Sequence, residues 1–168
     1  PDEKSPFRAR VAIVGSEIDD PQLTKLIEGC GALVVSDRYC FGSTPGREVI
    51  ELKDDEDPLR KLCLHVIQNS QCARYIAAEK VQQRRDTADR LAREFKADGI
   101  IYEQMKYCDY WGFERALVSH IMHEEYDWPV LSIDRLYNNG NSGQLRTRVQ
   151  AFVESLEIKR IQKNGGTK

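Results

Sequence analysis

The sequence predicts an α/β fold, a doubly wound parallel sheet of about four strands with helices on both faces. Three observations predict it. Short apolar runs alternate along the chain with stretches of helical periodicity. The first two apolar runs and the helical stretch between them form a βαβ unit, whose crossover is almost always right-handed. The chain has 168 residues, which is about the size of one domain.

Four short apolar runs predict the strands. They cover residues 11–14, 32–35, 99–102 and 129–133. Continuous runs of this kind are typical of strands that are buried on both faces of a sheet. With the first strand internal, they predict the order 2-1-3-4 that flavodoxin-like domains have.

Five stretches of helical spacing predict the helices. Asp20-Pro21 starts the first, which ends at Gly31, and Asp57-Pro58 starts the second. The third covers about residues 80–97, Asp109 caps the fourth, and the last covers about 145–156. The apolar faces of the last four helices are predicted to be Leu59, Leu62, Cys63, Val66 and Ile67; Ala88, Leu91, Ala92 and Phe95; Phe113, Ala116, Leu117 and Ile121; and Leu145, Val149, Phe152, Val153 and Leu156.

The sequence indicates a single α/β domain over residues 1–168, ordered from about 10 to 158. Residues 36–56 are expected to form a long loop, and the basic tail after Ile158 is expected to fray. The chain begins with Pro1 rather than Met, so we expect the natural N-terminus to lie upstream.

Composition argues against several classes of protein. A net charge of −2 does not favour nucleic-acid binding, and no apolar run is long enough for a membrane span. The five cysteines are odd in number and include no Cys-x-x-Cys pair, which favours a reducing, cytoplasmic compartment over a disulfide framework. A self-contained zinc site is also not expected, because closely spaced Cys or His pairs are absent.

The predicted topology brings three segments to one edge. Ligands of doubly wound sheets bind beyond the carboxyl ends of the strands, at the point where the strand order reverses. Residues 15–17, 37–42 and 103–109 meet there. The sequence therefore places Cys40 and Cys108 at the same edge.

Cys108 is the strongest candidate metal ligand in the chain. Thiolates are the soft ligands that hold iron–sulfur clusters, and this one follows a strand on a rigid scaffold. Lys106 is close enough in sequence to favour the thiolate. The alternative is a packed structural cysteine. Cys40 lines the substrate pocket, touches the cluster or is a packed thiol. Cys30 and Cys63 are expected in the core, and Cys72 has no assigned role.

Several segments together resemble a known family. They are Gly15-Ser16 with Asp19-Asp20-Pro21, Gly31-Ala32, Asp37-Arg38-Tyr39-Cys40-Phe41-Gly42-Ser43, Lys106-Tyr107-Cys108-Asp109, Gly143-Gln144 with Thr147-Arg148, and Ala151-Phe152. In this order, from about residue 10 to 158, they resemble the 2-hydroxyacyl-CoA dehydratase and benzoyl-CoA reductase family. The resemblance implies the C-terminal domain of a longer subunit, and residues 39–43 are closer to the reductases.

The resemblance implies an iron–sulfur subunit that delivers single electrons to an acyl-CoA thioester. Reductive dearomatisation of benzoyl-CoA is the first expectation, and radical dehydration of a 2-hydroxyacyl-CoA is the alternative. The implied partners are a homologous iron–sulfur subunit and an ATP-hydrolysing iron–sulfur activator or electron donor. Cys108 would hold a 4Fe-4S cluster whose other ligands lie outside this chain, so the isolated fragment is expected to carry no cluster and to be inactive. Ser16, Glu17, Cys40 and Lys106 would face the substrate.

Two other functions stay open from the sequence. An FMN-type electron carrier would need a Ser/Thr-rich phosphate loop after the first strand, but residues 15–20 are acidic and would repel phosphate. A non-catalytic interaction module is compatible with the fold. Residues 138–143, before the last helix, either bind the phosphates of CoA or form a capped turn.

Overall fold

Four parallel strands form one sheet in the computed structural model, which describes residues 6–16, 19–40, 49–137 and 142–165. The strands are β1 (Ala9–Gly15), β2 (Ala32–Arg38), β3 (Gly99–Met105) and β4 (Val130–Arg135). Their order is β2-β1-β3-β4, and each neighbouring pair is parallel. The predicted fold class and strand order are therefore confirmed.

The helices cover both faces of the sheet. They are α1 (Gln22–Glu28), α2 (Pro58–Asn69), α3 (Ala78–Glu94), α4 (Asp109–Glu124) and α5 (Ser142–Gly165). Alternate residues of β1 enter two different cores, because successive side chains of a strand point to opposite faces. Helices α1 and α5 complete one core, and α3 and α4 complete the other.

Strand β3 continues past its predicted end at Tyr102. Glu103 pairs in register with Gly15 of β1 and with Ile133 of β4, although a charged residue usually marks the end of a buried strand. Its side chain is fully buried and forms an ion pair with Arg135. The charge is tolerated inside the sheet because a neighbouring strand supplies its partner.

The predicted buried face of α4 is wrong. The helix buries Trp111, Glu114, Val118 and Met122, while Phe113 is 72% exposed. Ala116 and Leu117 are also exposed, and Ile121 is half-buried. A carboxylate occupies the buried face because the Arg84 guanidinium pairs with it at 2.7 Å. The helix begins at Asp109 with Cys108 in the N-cap position, so Asp109 itself is not the cap.

The apolar face of α2 is not part of either core. The predicted start is confirmed, since the Asp57 side chain accepts a hydrogen bond from the Leu59 N–H at 3.0 Å. No residue of α2 is buried, however, and Cys63 is exposed. The prediction of Cys63 as a core residue is therefore wrong, whereas Cys30 is buried as expected. Periodicity identifies an amphipathic helix but not what its apolar face packs against.

The other end-of-element differences are small. Phe95 is 41% exposed, although Ala88, Leu91 and Ala92 are buried as predicted. Helix α5 continues to Gly165 instead of fraying after Ile158. Among the described residues, no helix is both long and apolar enough to cross a membrane.

Candidate functional site

Ser16 and Cys108 lie at the carboxyl ends of adjacent strands. Ser16 follows β1 and Cys108 follows β3. The Ser16 N–H donates to the Glu103 carbonyl at 3.2 Å, and the Ser16 Oγ accepts a hydrogen bond from the Met105 N–H. The Cys108 N–H donates in turn to the Met105 carbonyl at 3.1 Å. The predicted edge is therefore real, and Ser16 is two hydrogen bonds away from Cys108.

The turn that carries Cys108 is held from both neighbouring strands. The Lys106 N–H donates to the Arg135 carbonyl of β4 at 2.7 Å, while Ser16 holds the Met105 N–H. The Gln104 side-chain amide donates to the Cys108 carbonyl at 3.3 Å. Cys108 is half-buried at the start of α4. Its thiol is thus carried by a fixed backbone.

Tyr107 has a left-handed backbone conformation. Its φ is 75°, and its side chain is 89% exposed. An aromatic residue in this region is strained, and such strain often occurs at functional sites. The exposed ring gains little burial that would offset the strain. The backbone conformation of Tyr107 in the turn before Cys108 therefore lowers the stability of the fold.

Two substitutions at Tyr107 separate its backbone strain from its ring. Both Tyr107→Gly and Tyr107→Val remove the aromatic group, but only glycine relieves the strain at positive φ. We expect the glycine variant to be more stable than the valine variant by about 1 kcal/mol or more in urea unfolding. Equal free energies of unfolding for the two variants would show that the turn is not strained.

A buried polar network joins three strand ends. The Ser16 hydroxyl donates to Glu103 Oε2 at 3.0 Å, and Arg135 Nε donates to Glu103 Oε1 at 3.0 Å. All three side chains are buried. Burial raises the pKa of Glu103, although Arg135 and Ser16 oppose the shift. A Cβ atom on Gly15 would lie 2.2 Å from the Glu103 carbonyl oxygen, so only glycine allows this close approach.

This network gives Ser16 a positioning contact. Its one hydroxyl hydrogen is used on Glu103, and its oxygen accepts the Met105 N–H. At 3% exposure Ser16 offers almost no surface to a substrate. The contacts of Ser16 therefore orient the turn that precedes Cys108.

Cys40 lies in a packed environment beside α4. Its Sγ accepts a hydrogen bond from Trp111 Nε1 at 3.0 Å. The Arg38 guanidinium lies over the same indole, 5.5 Å from its centroid. Burial raises the pKa of Cys40 to about 11. The thiol is therefore protonated at neutral pH, and its surroundings match the packed-thiol alternative.

The other predicted substrate-facing residues have different positions. Lys106 is partly exposed, and its Nζ lies 3.6 Å from Asp134 Oδ2 at the end of β4. Glu17 lies outside the described residues, as do residues 41–43 of the quoted motif and residues 138–141 of the turn before α5. Lys106 thus lies at the same edge as Cys108, but its side chain forms an ion pair with Asp134 of β4.

Cys108 is suited to bind a soft metal at this edge of the sheet, but it supplies only one ligand. Cys108 offers a sulfur at the surface of the site, and thiolate is the donor that iron–sulfur clusters prefer. Within the described ranges, no group of three or more Cys, His, Asp or Glu side chains has the arrangement of a metal site. Cys108 therefore fits as one ligand of a group whose other ligands must come from elsewhere.

Sequence reasoning missed four residues of this edge, namely Arg38, Trp111, Glu103 and Arg135. Arg38 ends β2 and Arg135 ends β4, and both are almost completely buried. The available signal was an Asp-Arg pair, Asp37-Arg38 or Asp134-Arg135, at the end of two of the four strands. Its meaning depends on partners that are distant in sequence, such as Glu103 for Arg135.

Cys72 is a further missed residue. It lies in the segment between α2 and α3, and its Sγ accepts a hydrogen bond from Arg74 Nε at 3.4 Å. Although burial opposes the change, the hydrogen bonds from Arg74 lower the pKa of Cys72. No local motif marks this residue, because its thiol neighbour Cys40 comes from the segment that follows β2.

A small apolar groove lies along α4, and Asp109, the residue after Cys108, lines it. It has a volume of about 210 Å³ and is lined along α4 by Tyr110, Phe113 and Leu117 and across from it by Ala73 and Ile76. A larger cavity of about 720 Å³ lies near Asp98 and Pro129, at the opposite ends of β3 and β4. Of these two cavities, the groove is the one nearer to the candidate site.

Comparisons with known proteins identify the family of this chain. The family model described as "2-hydroxyglutaryl-CoA dehydratase, D-component" matches residues 1–156. The chain is 26% identical over 152 residues to the Escherichia coli (strain K12) protein named "Putative dehydratase subunit YjiM", covering 89% of this chain and 38% of that protein. It is 29% identical over 167 residues to the "(R)-phenyllactyl-CoA dehydratase beta subunit" of Clostridium sporogenes, covering 92% of this chain and 40% of that protein.

The chain thus spans about two fifths of the length of these curated relatives. The family match covers more than nine tenths of the chain, including β1 to β4 and the Cys108 turn. The chain belongs to the family of the 2-hydroxyglutaryl-CoA dehydratase D-component, within the 2-hydroxyacyl-CoA dehydratases.

Proposed function

We propose that this chain is part of a dehydratase subunit that removes water from a 2-hydroxyacyl-CoA by a radical route. The family match and the two relatives named as dehydratase subunits support the proposal. The observation that carries it to the residue level is the half-buried Cys108, presented at the end of β3 by a turn that both β1 and β4 hold.

Cys108 is proposed as one thiolate ligand of a 4Fe-4S cluster. The other ligands would lie in parts of the protein beyond this chain. When bound, such a cluster supplies single electrons to the acyl-CoA thioester. Soft sulfur suits this role better than the neighbouring Asp109 carboxylate, which is a hard oxygen ligand.

The remaining residues of the edge have supporting roles in the proposal. Ser16 and Glu103 orient the Met105–Cys108 turn, so the sulfur is held in one position before any ligand binds. Lys106 is partly exposed and can reach an anionic group of the substrate if it leaves Asp134. The apolar groove beside Tyr110 and Phe113 would exclude water from the acyl side of the site.

The proposed subunit acts within a larger assembly. Helix α2 has an apolar face formed by Leu59, Leu62, Val66 and Ile67, each of them about half exposed or more. A contiguous apolar surface of this kind is typical of interaction sites. One of the relatives is named a beta subunit, which also supports the presence of a partner subunit. An ATP-hydrolysing iron–sulfur activator remains part of the proposal.

Benzoyl-CoA reduction is the other activity that the sequence indicated. It was favoured by residues 39–43, of which only Tyr39 and Cys40 are described, and Cys40 is packed under Trp111. Both named relatives are dehydratase subunits, so the comparisons favour dehydration.

A substrate panel distinguishes these activities. The full-length subunit, with its partner subunit and activator, is incubated anaerobically with ATP, a reductant and one acyl-CoA. We expect an (R)-2-hydroxyacyl-CoA to lose water to the 2-enoyl-CoA, whereas benzoyl-CoA should stay unchanged when products are separated by chromatography. Turnover of benzoyl-CoA to a dienoyl-CoA, without dehydration of any hydroxyacyl-CoA, would refute the proposal.

A further inference from the structure

Two thiols lie together where the end of β2 meets the segment between α2 and α3. Arg38, two residues before Cys40, donates from Nε to the Gln71 side-chain oxygen at 2.9 Å and from Nη2 to the Gln71 carbonyl at 2.7 Å. Gln71 directly precedes Cys72. These bonds hold the two backbones side by side, and the Cys40 thiol lies within hydrogen-bonding reach of the Cys72 sulfur.

The two thiols have different surroundings. Cys40 is packed against Trp111, whose Nε1–H lies 3.0 Å from its sulfur. Cys72 is half-buried and lies beside a guanidinium, with Arg74 Nε 3.4 Å from its sulfur. A nearby cation favours the nucleophilic thiolate. Cys72 is therefore the thiol that reacts first, and Cys40 is the neighbour within reach of its sulfur.

We propose that Cys40 and Cys72 form a redox-active dithiol, which closes to a disulfide when the chain meets a hydroperoxide. The Cys72 thiolate attacks one oxygen of hydrogen peroxide and breaks the O–O bond, which gives a sulfenic acid and hydroxide. The hydroxide becomes water by taking up the proton that Cys72 lost on ionising. The Cys40 sulfur then attacks the Cys72 sulfur, and the hydroxyl leaves as water with the Cys40 proton. Two thiols lose two electrons in total, and one peroxide becomes two waters.

The fixed position of the two thiols limits competing reactions of the Cys72 sulfenic acid. Arg38, only 1% exposed, keeps the two segments in place through Gln71, so the second thiol is present as soon as a sulfenic acid forms. Cys30 is buried elsewhere in the core with no thiol partner among the described residues, and Cys63 is exposed on α2. Cys30 is therefore the matched single-thiol control, and Cys63 can be replaced because it lies away from the pair. The proposal does not depend on the role of Cys108.

Peptide mapping after oxidation tests this pairing. Cys63 and Cys72 lie on one tryptic peptide, residues 62–74, whereas Cys40 lies on residues 39–47. The experiment therefore uses the Cys63→Ser background. The chain is treated with a small excess of hydrogen peroxide, free thiols are blocked by alkylation, and the digest is analysed by mass spectrometry. We expect residues 39–47 joined to 62–74 with the loss of two hydrogens, reversed by dithiothreitol, while Cys30 and Cys108 stay alkylated.

Two further variants assign the roles of the thiols. Cys72→Ser should leave Cys40 reduced, and Cys40→Ser should trap Cys72 as a sulfenic acid that dimedone labels. Each should lower the cross-linked product by at least about tenfold. A cross-link from either thiol to Cys108 would overturn the proposal. So would separate oxidation of Cys40 and Cys72 to sulfinic acids without a cross-link.

Discussion

Replacing Cys108 with alanine should abolish both bound iron and dehydration in the full-length subunit. Alanine keeps the N-cap backbone of α4 but removes the sulfur, and the adjacent Asp109 offers only a poorly matched oxygen ligand. Changes in residues that merely support metal ligands cost 10- to 100-fold, so losing a ligand should lower turnover by at least about a hundredfold. Iron and sulfide analysis together with acyl-CoA turnover measures the effect.

Cys63→Ala is the matched control for this experiment. Cys63 is exposed on α2, so its truncation should change the free energy of unfolding by no more than about 0.5 kcal/mol and leave iron content unchanged. If Cys108→Ala retained full iron and turnover, the ligand assignment would be wrong. If Cys63→Ala lost its iron, the surface that carries Cys63 would be part of the site instead.

Glu103→Gln should cause a large loss of stability at the sheet edge. The variant leaves Arg135 as a buried cation without a countercharge, and a guanidinium cannot escape by losing its proton. Breaking one side of such a pair costs about 3–5 kcal/mol. Urea unfolding of this chain, followed by circular dichroism, should show that loss as a lower midpoint.

Two controls distinguish this effect from a general effect of charge. Asp134→Asn breaks the partly exposed Lys106–Asp134 pair in the same region and should cost no more than about 1 kcal/mol. The double variant Glu103→Leu with Arg135→Met removes both buried charges and should recover most of the lost stability. A loss below about 1 kcal/mol for Glu103→Gln would mean that the buried pair does not hold the strand ends together.

The location of the candidate site could be predicted from the sequence, but the roles of its residues could not. The apolar runs and the βαβ unit predicted the strand order, so Ser16 and Cys108 were expected at adjacent strand ends. That Ser16 uses its hydroxyl on Glu103 was not predictable, because the serine and its partner are 87 residues apart in sequence. Cys72 was missed for the same reason, since it lies between two helices and its neighbour Cys40 follows β2.

The sequence alone determined the α/β class, the order of the strands and the edge that carries Cys108. These features depend on two things that need no knowledge of long-range contacts. One is the periodicity of apolar residues within each segment, and the other is the general right-handedness of βαβ crossovers. Only the tertiary structure decided which face of α4 is buried and whether Cys63 is covered. Burying Glu114 or Glu103 is favourable only when Arg84 or Arg135 arrives from another element, because an unpaired charge inside the core costs far more than the apolar contacts it displaces.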